Sequence, residues 1–416
     1  MFDTDKWQEI WFTIKKHKLR TALTAFGVFW GIFMLVLLMG AGKGLEHGAV
    51  KNIDIVKNAV FVWTWKTSVP YNGYKVGRFI ELTNGDYQAL QAQLPEAKVI
   101  SPRLPLRDDF NIEHNGKQVS FEVTGDYPQM TEIKPIQMEK GRYINRYDIE
   151  KRRKIAVIGK RVYERLFEEE EDPIGAYIKI KGVFFQVVGV FDSKLSGEDA
   201  IEDLQTTFIP LTTLQNVFNK GNTIGWFGFV PKEGYSAGYI EEKVKELFRI
   251  RHNIAPNDDS ALASFNMEEE FQSIQQVFGG IQIFSWLVAI GTIFAAMIGV
   301  GNIMSISINE RIREIGIRKS LGAKPISILS MLMQESLTLT FIAGYVGLLV
   351  GVGLIEGLRY AMVEFDMQSD FFNNPEINFR IALTALVVLV FSGAMAGFVP
   401  GYRASMSQPV DAMRQE

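Results

Sequence analysis

Apolar residues along this chain gather into four long runs, and charge is concentrated between them. Residues 22–41 and 281–308 carry no charged side chain, 326–355 carry only Glu335, and 381–399 carry none. At 1.5 Å per residue, about 20 apolar residues are needed for a helix to cross about 30 Å of hydrocarbon. One such run can be a buried core helix, but four in one chain predict membrane spans, placed at 19–42, 266–308, 326–355 and 381–400. The first run is read as a retained span. Its apolar core is longer than that of a signal peptide, and Gly40-Ala41-Gly42-Lys43 makes a poor cleavage site.

Between residues 43 and 265 the period shortens to β-like runs, punctuated at Asn72-Gly73, Asn84-Gly85, Asn115-Gly116 and Gly182. A helix is predicted from Thr83-Asn84-Gly85-Asp86 to Leu94, capped by Thr83 or Asn84 and ended by Pro95. Residues 234–251 form a second helix, with Ile240, Val244 and Leu247 on one face. Residues 154–159 and 177–191 read as strands, with a short helix over Lys160–Phe167. The predicted fold is an α-helical membrane protein of four spans, with a large α+β domain inserted between the first and second.

Ahead of the second span, Met267, Phe271, Ile274, Val277, Phe278 and Ile281 extend a helical stripe into the apolar run. An unbroken helix there measures about 63 Å, roughly twice the hydrocarbon thickness, so it must protrude as a stalk. Gly279-Gly280 is the place where it could break.

The average composition, 47% hydrophobic with a net charge of −3, hides this segregation. Its positive charges orient the chain. Lys15, Lys16, Lys18 and Arg20 precede the first span, and Arg311, Arg313, Arg318, Lys319 and Lys324 lie between the second and third. The positive-inside rule makes both segments cytoplasmic, which places both termini inside and residues 43–280 and 356–380 outside. Trp7, Ile10, Trp11 and Ile14 form an apolar stripe before the first span, either an interfacial helix on the inner leaflet or one packed on the bundle.

Little in the chain points to chemistry. No nucleophile sits beside a base, and the phosphate-binding pattern GxxxxGK[ST] is absent, so no ATP site is expected here. There is no cysteine, and the four histidines (His17, His47, His114, His252) are scattered, so no metal centre is expected. Two charge runs, Lys151–Lys154 and Glu168–Asp172, read as solvated turns or as docking patches.

The segment 309–336, NERIREIGIRKSLGAKPISILSMLMQES, resembles the MacB/FtsX-type permeases of ABC transporters. Basic residues are followed there by Arg313-Glu314-Ile315-Gly316-Ile317, Leu321-Gly322-Ala323 and then Glu335. Residues 16–32, 79–102, 141–167, 172–190 and 399–416 look like further parts of the same family. The resemblance implies a periplasmic domain with a porter-like part, about 55–135 and 222–265, around a β-rich part, about 140–215.

MacB proper carries an ATPase domain, whereas this chain starts about twenty residues before its first span. The resemblance therefore implies separate ABC ATPase subunits, which hold the ATP and magnesium, and a bacterial inner-membrane location with a periplasmic domain. Arg311, Arg313, Glu314, Gly316, Arg318, Gly322 and Ala323 are the candidate coupling residues. Four spans make half of a usual ABC membrane unit, so a second permease copy or paralogue is expected. An adaptor, an outer-membrane channel and membrane lipids are further candidate partners; nucleic acid is not.

Glu335 lies about two turns inside the third run, where a carboxylate must be paired or near the interface. An arginine of the coupling segment can pair it; the competing role is proton transport. Gly27/Gly31, Gly347/Gly351 and Gly393/Gly397 offer small faces for helix packing. Export or extraction of an antibiotic, peptide, lipid or lipoprotein is the expected function. The rivals are a relay that activates an extracytoplasmic hydrolase or senses peptides, and an ion-coupled transporter, whose inverted repeat and buried charges are not visible.

Overall fold

The computed structural model describes residues 18–51, 55–106, 111–168, 170–193, 197–365, 372–376 and 379–406. The helix expected around Trp7–Ile14 lies outside these. Helix α1 (Lys18–Lys51) runs past the expected end of the first span, with Lys43 and Glu46 paired at 2.5 Å one turn apart. Val28, Ile32, Leu35, Val36 and Met39 make its buried stripe, while Leu23, Phe26 and Trp30 face outward.

The inserted domain forms one compact unit, residues 50–275. In chain order its elements are β1 (Val60–Thr64), β2 (Leu82–Thr83), α2 (Asn84–Gln93), β3 (Ala97–Pro105), β4 (Asn111–His114), β5 (Lys117–Ser120), β6 (Val123–Asp126), α3 (Met130–Ile133), β7 (Gln137–Gly141) and α4 (Arg146–Glu150). There follow β8 (Ile155–Gly159), α5 (Lys160–Leu166), β9 (Tyr177–Ile180), β10 (Val183–Asp192), α6 (Gly197–Leu204), β11 (Thr207–Pro210), α7 (Leu211–Val217), β12 (Thr223–Ile224), β13 (Trp226–Pro231), α8 (Ala237–Arg251) and β14 (Leu262–Asn266). One sheet runs in the order β14-β1-β13-β3-β6-β11-β8-β10-β9-β4-β5, with β7 added to β10 and β2–β12 a separate pair.

Antiparallel pairs β1–β13, β1–β14 and β13–β3 join residues 60–105 to residues 226–266. The hairpin β4–β5, which the family resemblance put in the same porter-like part, pairs with β9 through Ile112 and Ile180. The physical reason is burial: Ile112, Ile178 and Ile180 are all fully buried in one core. Residues 177–191, read as strand with a turn at Gly182, form two strands divided by Lys181 and Gly182, both at positive φ. Asn84-Gly85 opens α2, as expected, with Thr83 as N-cap and Asp86 completing the capping box.

Along β1 the side chains alternate. Val60, Val62 and Thr64 point to the core, and Phe61 and Trp63 to the other face. Ile240, Val244 and Phe248 of α8 join that core together with Phe227 and Phe229. At the C-terminal end of α8, Arg251 Nε donates to the Asp86 carboxylate at 2.8 Å, and His252 Nε2 lies 3.0 Å from it. Burial would raise the Asp86 carboxyl, but these partners and the Thr83 N–H outweigh it and hold the group far below the usual carboxylate range. A depressed folded pKa stabilises above the unfolded value of about 3.9 and is lost as pH falls below it. Asp86→Asn is therefore expected to cost about 2 kcal/mol at pH 7, and less as the pH drops toward 3, measured by chemical denaturation of this domain's tryptophan signal in the full chain.

After β14, helix α9 (Met267–Glu310) is a single helix of 44 residues, about 66 Å long, unbroken at Gly279-Gly280. Glycine costs about 1 kcal/mol per position in a helix, which weakens it without ending it. Asn266 caps its start by accepting from the backbone N–H groups of Glu268 and Glu269. Helices α10 (Ile312–Ser320), α11 (Pro325–Glu364) and α12 (Phe379–Met406) complete the second compact unit with α1 and the remainder of α9. α11 continues through residues expected in a loop, where Glu356 and Arg359 pair at 2.9 Å.

In this unit the small residues face inward. Ala289, Ile293, Ala296 and Val300 of α9 are buried, while Phe284, Leu287, Phe294 and Ile298 are exposed. An apolar exterior over a close-packed interior is what hydrocarbon solvent requires. Each of the three glycine pairs meets a neighbouring helix: Gly27 and Gly31 face Ala296 and Thr292, Gly347 and Gly351 face Phe29 and Val36, and Gly393 and Gly397 face Thr340 and Ser336. Ser336 Oγ donates across to the Gly393 carbonyl at 3.0 Å.

Candidate functional site

Seven of the eight residues singled out in sequence lie in the α9–α11 connection, and the eighth, Glu335, lies within α11. Arg311 occupies the N-cap position of α10. Two faces of α10 then differ. Ile315 and Gly316 are buried against the bundle, and Arg313, Glu314 and Ile317 are exposed. Arg318 Nη2 lies 2.6 Å from Glu314 Oε1, one turn away, an exposed pair worth well under 1 kcal/mol but able to hold both heads in place.

Gly322 ends α10. Its φ of +91° is the left-handed conformation glycine favours, and the N–H groups of Gly322 and Ala323 donate to the carbonyls of Lys319 and Arg318. That pair of bonds is a complete Schellman cap, in which Gly322 shapes the turn. Lys324 is the N-cap of α11, with Pro325 in its first turn.

Glu335 reaches Arg311 across this connection, with 3.8 Å between Arg311 Nη1 and Glu335 Oε2. The pair is mostly buried, at 20% and 13% exposure, so the acid inside the third apolar run has a cation beside it.

Sequence reasoning missed how apolar the rim of this connection is: Leu321 is 83% exposed and Ile326 67%, and with Ile317 at 48% they flank the charged side chains of α10. The two-residue spacing of Ile315 and Ile317 was the available signal, since residues two apart on a helix cannot share a face. The charge runs are partly spent within the domain: Arg153 pairs with Asp148 at 3.1 Å, Lys117 with Glu168 at 2.8 Å and His114 with Glu171 at 2.8 Å. The His114 hydrogen bond holds the Glu171 carboxyl below its usual range.

Four helices long and apolar enough to cross a membrane, with one α+β domain between the first and second, define a multi-pass membrane protein. Residues 21–247 match the MacB-like periplasmic core domain, and residues 286–409 match the FtsX-like permease C-terminal domain. The chain belongs to the MacB/FtsX-type family of ABC transporter permeases.

Among its relatives, the macrolide export ATP-binding/permease protein MacB of Hahella chejuensis is 25% identical over 98% of this chain and 59% of its own length. The protein of the same name from Rhodospirillum rubrum is 27% identical over 97% of this chain and 59% of its own. The chain thus spans about three fifths of the length of these curated relatives. The crystal structure of the periplasmic region of MacB from Actinobacillus actinomycetemcomitans aligns at 15% identity and a TM-score of 0.43, covering 53% of this chain and 94% of that one.

Proposed function

We propose that this chain is a permease subunit that couples ATP hydrolysis, carried out with magnesium on separate ABC ATPase subunits, to movement of its periplasmic domain. The movement drives export or extraction of an antibiotic, peptide, lipid or lipoprotein. The observation that carries this reading is the two-faced α10: Ile315 and Gly316 root it in the bundle, while Arg313, Glu314, Ile317 and Leu321 are presented outward. Charged side chains around exposed apolar ones are the composition of a protein contact, not of a segment that only needs positive charge to fix topology.

In this reading α10 faces the cytoplasm, both termini lie inside the inner membrane, and two permeases, identical or paralogous, form the transport unit. A push on α10 tilts the 44-residue α9, whose continuity through Gly279-Gly280 suits it to act as a lever. The Arg311–Glu335 pair speaks against proton transport, because a salt-bridged acid without a relay is a poor proton carrier. An adaptor and outer-membrane channel extend the same reading. The relay function uses the same lever and differs only in what the exterior domain touches. Hydrolysis by the cognate ATPase with and without this chain in nanodiscs tests the proposal: stimulation is expected, and an unchanged rate with both proteins bound contradicts it.

A further inference from the structure

The domain of residues 50–275 contains a cleft of about 780 Å³, within the size range of small-molecule sites. Its floor is the face of the sheet opposite α8. On three neighbouring strands the register sets Trp63 beside Trp226 and Phe61 beside Phe265, and the rings of Phe61 and Trp226 meet edge to face at 5.4 Å. All four line the cleft. Phe79 to Leu82 border it on one side and Thr223 to Trp226 on another.

The wall is built before any ligand arrives. Phe79 is 53% exposed, yet the hairpin that ends on it is fixed at several points. The buried Asp258 carboxylate accepts from the Ser68 N–H, the Ser68 hydroxyl and the Val69 N–H. Arg78 donates to the carbonyls of His252 and Asn253, and the Thr64 hydroxyl donates to the Ile80 carbonyl at 2.7 Å. Trp65 touches the Phe79 ring from outside the cleft, at a centroid distance of 6.2 Å. Holding an exposed aromatic ring so firmly brings no folding gain in water, but it lowers the entropy cost of binding.

The chemistry of the lining selects the ligand. The hydroxyls of Thr64 and Thr223 are used on Ile80 and on Glu81, so the floor offers mainly aromatic rings, with the indole N–H groups of Trp63 and Trp226 as its donors. Charge enters only as the opposite pair Glu81 and Lys220. A floor of closely spaced aromatic rings rewards a rigid ring-bearing body, which loses little conformational freedom on binding, over a flexible acyl chain, which loses much. Charges of both signs on the lining favour a zwitterionic or strongly polar head over a net ion.

We propose that this cleft binds a ring-bearing amphiphile, its rigid apolar body on Trp63, Trp226, Phe61 and Phe265 and its polar head at Glu81 and Lys220. The assignment deepens the transport reading by naming a substrate class, but it stands on this domain alone and survives if α10 meets no ATPase.

Hydrogen exchange of the full chain in phosphatidylcholine nanodiscs tests it, with two zwitterionic probes kept below their micelle concentrations: CHAPS, which has a steroid body, and lysophosphatidylcholine, which has one acyl chain. CHAPS is expected to slow exchange at least fivefold in residues 66–82 and 218–226, with β8 and β10 unchanged. Phe79→Ala, an exposed position, should raise the half-saturating CHAPS concentration at least fivefold, and Trp63→Ala should abolish the protection. No protection by CHAPS, equal protection in Phe79→Ala, or stronger protection by lysophosphatidylcholine would each overturn the proposal, the last by making the cleft an acyl-chain site.

Discussion

Replacing Arg313, Glu314 and Gly316 together by alanine is expected to reduce permease-stimulated ATP hydrolysis at least tenfold, to the rate of the ATPase alone. The bundle should stay folded. Arg313 and Glu314 are exposed and make no contact with the core, so their loss removes surface and frees Arg318 from its 2.6 Å partner. Gly316 lies on the buried face, where an added methyl group shifts α10 against the bundle. A tenfold loss corresponds to about 1.4 kcal/mol of coupling, the usual size of a linkage between two sites. Full stimulation by the triple variant at unchanged permease abundance would remove α10 from the mechanism.

The second large effect is expected at Gly347. A Cβ built there lies 2.6 Å from the carbonyl oxygen of Phe29 and 3.3 Å from its Cα, so α11 and α1 touch backbone to backbone. Backbone has no flexible end to move aside, and a side chain at 347 must force the helices apart. Gly347→Leu should cost about 3 kcal/mol and lower the melting temperature of the purified protein by several degrees. Gly353→Leu, on the same helix with no atom within 4 Å of its Cβ position, is the control and should melt with the wild type. Equal melting of the two variants would mean that α1 and α11 do not pack through Gly347.

Much of this architecture was legible because it rests on local signals. Each span needs only its own run of apolar residues, and α2 announces itself through Thr83 and Asp86 three residues apart. The pairing of β4–β5 with β9 was not legible, since Ile112 and Ile180 are distant in sequence and either partner would satisfy the same alternation. The continuity of α9 was left open by Gly279-Gly280, where propensity is weak and the rest of the helix decides.

The candidate site divides in the same way. Its charges and glycines stood out as a motif, and the structure gives them different tasks: Gly322 caps, Arg311 meets Glu335, and Arg313 and Glu314 face outward. Leu321 went unremarked because an exposed leucine beside a turn looks like any other apolar residue until its surroundings are known. The aromatic cleft was hidden for a related reason. Period two says that Phe61 and Trp63 share a face, but not that a cleft opens on it.

The chain contains no cysteine, so Leu321→Cys introduces a unique thiol at the most exposed apolar position of the α10 segment. Labelled there with benzophenone maleimide and illuminated in membranes that also hold the cognate ATPase, the permease is expected to cross-link to that ATPase. The same label on Phe284→Cys, on the outward apolar face of α9, should reach lipid only. Cross-linking from 284, or none from 321 while the two proteins co-purify, would contradict α10 as the place where ATP hydrolysis is passed to the permease.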